Sequence, residues 1–369
     1  MNAERSLGMP KTAWIYPLLG LLFYGAASAL GFADRLAPGI TGIVFAVLLI
    51  PVIFGAIFAA VYHAEVIAHW SGEPYGTLVL TAAVTIIEVA LIASIMLSGK
   101  DGSPALARDT VYAVVMTVCT GLTGLCILAG GLRYREQSFR VPGASAYLTV
   151  LLVLATLTLI LPNYTTETPG PSYSKSQLAF AAVVTVVLYG AFLYIQTVRH
   201  RDYFIFIAGE GEDDTHHSLR RVGISVALLL VSLLAVILLS KKFSVIVELG
   251  REAIGAPPPV TGLVVAILIL LPEGIAAVQA ARKDELQKSL NLALGSALAT
   301  IGMTFPAVAL VALHLDKPLV LGLDASDSVL LALTLLVSTL TFATGRTNIL
   351  NGFVYLVIFA TFLFLTFQP

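Results

Sequence analysis

The stretch 79-VLTAAVTIIEVALIASIMLS-98 is apolar apart from a few hydroxyls and a single charge, Glu88, and 260-VTGLVVAILILLPEGIAAVQAA-281 repeats the pattern around Glu273. Runs of about 20 mostly apolar residues read as membrane-spanning helices. A carboxylate at the centre of such a helix costs about 3 kcal/mol on insertion scales, so each glutamate marks a functional position by default. No Lys or Arg lies in the middle of any apolar run of this sequence, which weakens a purely structural ion-pair reading.

Working outward, similar runs fall at 14–31, 39–62, 76–98, 109–132, 144–161, 177–198, 222–240, 260–281, 288–313, 329–345 and 349–367. With 58% hydrophobic residues, 12% charged residues and a mean hydropathy of +0.92, the chain reads as an all-α polytopic membrane protein of eleven transmembrane helices. A net charge of −1 gives no basic footprint for nucleic acid, and the lipid bilayer is the expected partner. Cys119 and Cys126 sit roughly 10 Å apart on one helix, too far for a disulfide. The short polar N-terminus leads into a retained first helix, with no clear cleavage site.

Most basic residues, from Arg5 and Lys11 to Arg346, fall on loops of one side if the N-terminus is cytoplasmic, which puts the C-terminus outside. Lys241, Lys242 and Arg251 cluster in one expected outer loop. A polar segment, 199–221, joins the sixth and seventh spans and carries Glu210, Glu212, Asp213, Asp214, His216 and His217. It reads as a solvated acidic linker or as a cation-responsive regulatory element, since clustered carboxylates attract divalent cations and histidines titrate near neutral pH.

Placing Glu88 over Glu273 also aligns the segments C-terminal to them: in both, an apolar half-helix, a charged connection and another membrane helix, with Thr120 opposite Thr300. The chain then divides into an N-terminal helix (1–37), a first five-span repeat (38–198), the linker (199–221) and a second five-span repeat (222–369). An odd number of spans per copy inverts the second repeat, and such folds place substrate sites at mid-membrane between repeats, on interrupted helices. Pro272 has no N–H to offer the Leu268 carbonyl and is the expected helix break just before Glu273; Pro306 does the same to Gly302. Thr81, Thr85 and Glu88 share one helical face, and Thr117, Thr120, Ser296 and Thr300 add hydroxyls at helical spacing. Oxygen ligands suit hard cations, although membrane Ser and Thr commonly bond back to their own helix. Gly121, Gly124, Gly295 and Gly302 read as close-packing positions. His63, Glu65 and His69 do not have metalloprotease spacing, and are expected at a helix end near the interface.

Together, EVIAHWSGEPYGTLVLTAAVTIIEVALIASIML and LPEGIAAVQAARKDELQKSLNLALGSALATIGMTFP resemble the calcium:cation antiporter superfamily, in its cation/proton exchanger branch and its ChaA-type members. The resemblance implies the same eleven-span plan and an acidic linker. It also implies a Gly-Asn-x-x-Glu element in each repeat, whose glutamates, here Glu88 and Glu273, bind the cation. Val84-Thr85 and Ile269-Leu270 stand where that pattern has Gly-Asn. Gly295-Ser296 keeps the next Gly-Ser element, which is Val115-Met116 in the first repeat.

These readings converge on a bacterial inner-membrane antiporter, not an enzyme, that exports Ca2+ against inward protons by alternating access. Glu88 and Glu273 take cation or protons in competition. Thr81, Thr85, Leu268, Ser296, Thr300 and Thr120 support them, and no cofactor beyond the transported ions is expected. Na+ or K+ exchange by the same fold is the alternative, and a cation channel is the reading from another class.

Overall fold

The computed structural model describes residues 9–31, 40–72, 75–97, 104–204, 218–316 and 319–369. In chain order these form α1 (Lys11–Ala29), α2 (Ile40–Ser71), α3 (Tyr75–Leu97), α4 (Leu106–Met116), a π-helical turn (Thr117–Leu122) and α5 (Thr123–Tyr134). Strand β1 (Glu136–Ser138) precedes α6 (Val141–Ala155), which ends in a π-turn, and α7 (Lys175–Tyr194), which does the same. The second half holds α8 (Leu219–Ala253), α9 (Pro259–Ala281), α10 (Leu286–Ala299), a π-turn (Thr300–Thr304), α11 (Phe305–Leu315), α12 (Ala325–Phe342), β2 (Arg346–Asn348) and α13 (Ile349–Phe367).

Ten stretches of the described residues are long and apolar enough to cross a membrane, with α4–α5 and α10–α11 each crossing as one pass through its π-turn. Val79–Ser94 of α3 is a shorter apolar stretch, and counting α3 with the ten gives the eleven passes expected from sequence. The all-α polytopic architecture expected from sequence is the one observed.

The fold divides into two compact units that each draw on both halves of the sequence. One comprises α1, α2, α3 to Leu91 and α8 to Leu249; the other holds the remaining helices. In the first, the Tyr16 ring occupies the notch at Gly55, and Gly20 lets α1 approach Ala235 of α8. Arg221 donates to the Tyr62 hydroxyl at 3.0 Å, tying α8 to α2.

Two of the expected boundaries differ from those observed. Helix α2 continues past residue 62 to Ser71, so His63 lies within it, fully buried, with Nε2 2.9 Å from the Ala13 carbonyl. Helix α8 continues past residue 240 to Ala253, so Lys241, Lys242 and Arg251 are helical residues and not an outer loop. Charge ends an apolar run in the sequence, but backbone bonding continues wherever the polar groups find partners. The Lys242 ammonium, on a side chain only 5% exposed, sits 5.2 Å from the Tyr24 ring centroid, and the Arg251 guanidinium donates to the Ala256 carbonyl at 2.9 Å.

The second unit is built around Met116, Tyr147, Phe342 and Tyr355, all nearly inaccessible. Its loops gather into two sets. β1 pairs antiparallel with β2, Gln137 opposite Thr347, although one follows the fourth pass and the other the tenth. Gln137 also donates to the Ala281 carbonyl after the eighth pass, and Asn291 to the Phe204 carbonyl after the sixth. At the other end, Val320 N–H donates to the Pro104 carbonyl and Leu323 N–H to that of Leu159, joining loops that follow the third, fifth and ninth passes. Within this unit the loops after the fourth, sixth, eighth and tenth passes meet in one set and those after the third, fifth and ninth in the other, as alternating passes require.

Candidate cation-binding site

Helix α3 carries Thr81, Thr85 and Glu88 on one face because four and seven residues bring a helix back to nearly the same direction. Glu88 is 1% exposed and Thr85 is buried, while Thr81 is half-buried. A carboxylate withdrawn this far from water belongs to a hydrogen-bonded or ion-binding arrangement, since a bare buried charge is prohibitively costly. All three residues lie in the first unit.

Glu273, half-buried, lies on α9 in the second unit, directly after Pro272. The expected break at Pro272 is not found: α9 runs continuously from Pro259 to Ala281 with the proline inside it. Proline removes one hydrogen bond, that to Leu268, but membrane helices tolerate this when neighbours hold the flanking turns. Here α9 packs against α4, α5 and α10, and the Leu268 side chain is buried. Gly262 allows the α4 backbone to come close, since a Cβ there would stand 2.8 Å from the Thr110 nitrogen.

The interruptions fall instead between α4 and α5 and between α10 and α11. Thr120 lies in the π-turn Thr117–Leu122 and Thr300 opens the π-turn Thr300–Thr304, at the positions that the sequence repeat aligns. The Phe305 N–H reaches back five residues to the Thr300 carbonyl, and Thr123 N–H likewise to Val118. Pro306 sits one residue beyond the second turn, at the start of α11. Its ring would crowd the Gly302 carbonyl of a regular helix, and the wider turn relieves that conflict.

The π-turn of the first repeat packs against both α9 and α10. A Cβ on Gly274, beside Glu273, would lie 3.6 Å from Leu122 Cδ1, so the acidic turn of α9 adjoins the end of that π-turn. Thr120 and Thr300 are buried and Ser296 is half-buried. Thr120 donates back to the Met116 carbonyl, the self-satisfying bond expected of a membrane threonine. Gly121, Gly124 and Gly302 are close-packed, whereas Gly295 meets the Tyr147 hydroxyl only at an ordinary 3.7 Å. Glu210, Glu212, Asp213, Asp214, His216 and His217 lie outside the described residues. Among the described residues, no group of three or more His, Cys, Asp or Glu side chains could hold a metal ion, and His63 is bound to α1 and not exposed at a helix end.

Sequence reasoning missed a polar chain at the end of the second unit where the even-numbered loops meet. Arg140 N–H donates to Gln287, Gln287 to Asn291, and Asn291 to the Phe204 carbonyl, while Gln196 donates to the Tyr147 hydroxyl at 2.6 Å. The spacing of Gln287, Asn291 and Gly295 at four-residue steps was a readable signal for this face of α10.

Comparison with known proteins gives this architecture a family. The sodium/calcium exchanger protein model matches residues 40–198 and 224–368. The protein y4hA of Sinorhizobium fredii is 45% identical over 370 residues, covering 99% of this chain and 98% of its own. The sodium-potassium/proton antiporter ChaA of Escherichia coli is 35% identical over 367 residues, covering 97% of this chain and 96% of its own. Among solved structures, native YfkE shares the fold with a TM-score of 0.72 at 17% identity, over 97% of this chain and 100% of that one. On the extent of these matches, the chain belongs to the sodium/calcium exchanger protein family.

Proposed function

We propose that this chain is a secondary active cation/proton antiporter in which Glu88 and Glu273 take up either cation or protons. The observation that carries the reading is Glu88: a carboxylate 1% exposed, on an apolar membrane helix, with Thr85 one turn before it. A group so desolvated is tolerable when neutralised, by a proton or by a bound cation, and costly when bare. If the acidic helices change access only in a neutralised state, uptake of protons from one side obliges release of cation to the other. The relationship along nearly the full length to ChaA, named as a sodium-potassium/proton antiporter, supports the exchange class.

The exported ion in the first reading is Ca2+, a hard divalent cation that takes carboxylate and hydroxyl oxygens as ligands. Export of Na+ or K+ is the second reading. It is favoured by Val84-Thr85 and Ile269-Leu270, which lack the asparagine oxygens of the family pattern, and by the ions in the name of ChaA. The expected setting is a bacterial inner membrane with the N-terminus cytoplasmic, in keeping with the bias of basic residues between loops.

Proteoliposome flux under one fixed pH gradient, comparing Ca2+, Na+ and K+, tests the reading. Uphill movement of one of them is expected, with Glu88→Gln and Glu273→Gln each abolishing it. Downhill cation movement without proton movement would mean a channel. Normal exchange by either variant would remove that glutamate from the mechanism.

A further inference from the structure

The π-turns after α4 and before α11 each contain a glycine, and on each glycine sits an aromatic ring from a helix far away in the chain. Tyr189 of α7 covers Gly302: an added Cβ would overlap its ring, with Cδ2 at 2.7 Å. Phe359 of α13 covers Gly121, with three ring carbons at 3.0 Å from the same construction. Both contacts lie within the second unit. The pairing is not a sequence neighbour effect, since the partners are more than a hundred residues apart.

A π-turn inside an α-helix is a local distortion that needs outside support, and such turns gather at functional positions. The turn at Thr300–Thr304 has little freedom to relax. Pro306 denies the Gly302 carbonyl its regular α-helical partner, and the Tyr189 ring, 4% exposed, presses the backbone at Gly302 from outside. The turn at Thr117–Leu122 has no following proline, and Thr123 instead donates its hydroxyl to the Val118 carbonyl at 2.8 Å.

We propose that Tyr189 and Phe359 are positioning residues for ion selection: each ring seats on the glycine of a π-turn and fixes where Thr300 and Thr120 present their oxygens. Oxygen placement decides between cations of different size, because each cation demands its own set of ligand distances. The tighter seat, Tyr189 on Gly302, dominates. This inference rests on the cation-binding reading above, but not on the coupling of that binding to protons.

Two measurements on the full-length protein separate the two. The first is thermal stabilisation of detergent-solubilised protein by Na+, K+ or Ca2+, which gives the half-saturating concentration of each ion without any need for transport. The second is exchange in proteoliposomes under a fixed pH gradient. For Gly302→Ala, the half-saturating concentration of the preferred ion should rise by about tenfold or more, as small misplacements of binding groups do, and the order among ions should change. Tyr189→Phe should behave as wild type, because the ring and not the hydroxyl makes the seat. Tyr189→Leu should shift selectivity by itself and, combined with Gly302→Ala, bring affinity back toward wild type by making room. Gly121→Ala should act in the same direction and less.

If Gly302→Ala and Tyr189→Leu lower the melting temperature yet leave ion order and half-saturation unchanged, the seats are packing only and the proposal fails. If wild type is stabilised by a cation with these variant effects but does not exchange it for protons, the seats stand and the antiport reading falls. If no cation stabilises wild type and none is exchanged, both fall.

Discussion

Helix α7 packs on α11, and α13 on α5, each a clasp between helices far apart in the chain, yet the two clasps are made differently. The α13–α5 contact is backbone against backbone. A Cβ on Gly352 would stand 3.0 Å from the Leu128 nitrogen, and one on Gly124 would stand 2.9 Å from Tyr355 Cβ. It is extended by the β1–β2 ladder and by Asn348, whose side chain accepts from Leu350 and Asn351 N–H to start α13. The α7–α11 contact is anchored just before α11 by the Tyr189 ring over Gly302 of the π-turn and closes with an exposed pair, Lys175 Nζ to Asp316 Oδ1 at 2.7 Å. The α13–α5 contact is held by main chain, which cannot adjust without moving a whole helix, whereas the α7–α11 contact is tight at the Tyr189 seat and ends in a solvent-exposed ion pair. The difference assigns α13–α5 to the stiff part of the second unit and α7–α11 to the part that can yield.

The largest expected effect tests that stiffness. Gly352→Leu forces a side chain into a space already filled by the Leu128 main chain, and overpacking of this kind costs about 1–3 kcal/mol or more. Gly190→Ala on α7 adds its methyl where nothing lies within 4 Å, and should leave stability unchanged or raise it by up to about 1 kcal/mol. Thermal melting of the purified protein in detergent compares them. Equal losses would mean that glycine matters on these helices through backbone freedom, and the contrast between the clasps would disappear.

A smaller effect is expected from the amides that close the two ends of the unit. Gln137, 3% exposed, fills the notch at Gly130 and donates to the Ala281 carbonyl and to Asp284 Oδ1, both at 2.9 Å. Asn163 does the same at the opposite end, filling the notch at Gly322 and donating to the Leu323 carbonyl at 2.7 Å, but it is exposed. Truncating a buried amide empties the notch it fills and loses both of its hydrogen bonds, at about 0.5–1.5 kcal/mol each, while water can replace an exposed one. Gln137→Ala should therefore lower the melting temperature clearly and Asn163→Ala only slightly. The reverse order would place the stiffer end on the α7–α11 side.

Much of the fold and part of the candidate site were within reach of the sequence, and the contrast between the two clasps was not. Eleven apolar runs, the alignment of Glu88 with Glu273 and that of Thr120 with Thr300 are all local patterns, and a repeat makes each a check on the other. Hydropathy misplaced the ends of α2 and α8 because His63 and Lys242 look like the edge of a membrane until Ala13 and Tyr24 are known to meet them. Pro272 looked like a break because its lost hydrogen bond is visible in the sequence, while the packing of α9 on α4, α5 and α10 is not. The seats of Tyr189 and Phe359 were invisible for the same reason. Which aromatic covers which glycine depends on contacts between helices far apart in the chain.

The smallest expected effect belongs to the exposed pair that ends the α7–α11 clasp. The Lys175 ammonium, by hydrogen bond and by charge, holds the Asp316 carboxyl below its ordinary range. A lowered folded-state value stabilises the fold above the unfolded carboxyl value of about 4 and loses that contribution as pH falls through the folded value. Both side chains are more than three-quarters exposed, so solvent and salt screen the pair strongly. Lys175→Ala should thus leave the melting temperature at pH 7 and moderate salt almost unchanged. Any deficit seen at low salt should shrink as pH falls below the ordinary carboxyl range and vanish once the lowered Asp316 carboxyl is itself protonated, since wild type has then lost the pair as well. A large deficit that survives high salt and acid would show that Lys175 supports α7 through its aliphatic stem, not its charge. The α7–α11 clasp would then be held at its end by packing, as α13–α5 is, and the distinction between a yielding and a stiff clasp would rest on Tyr189 alone.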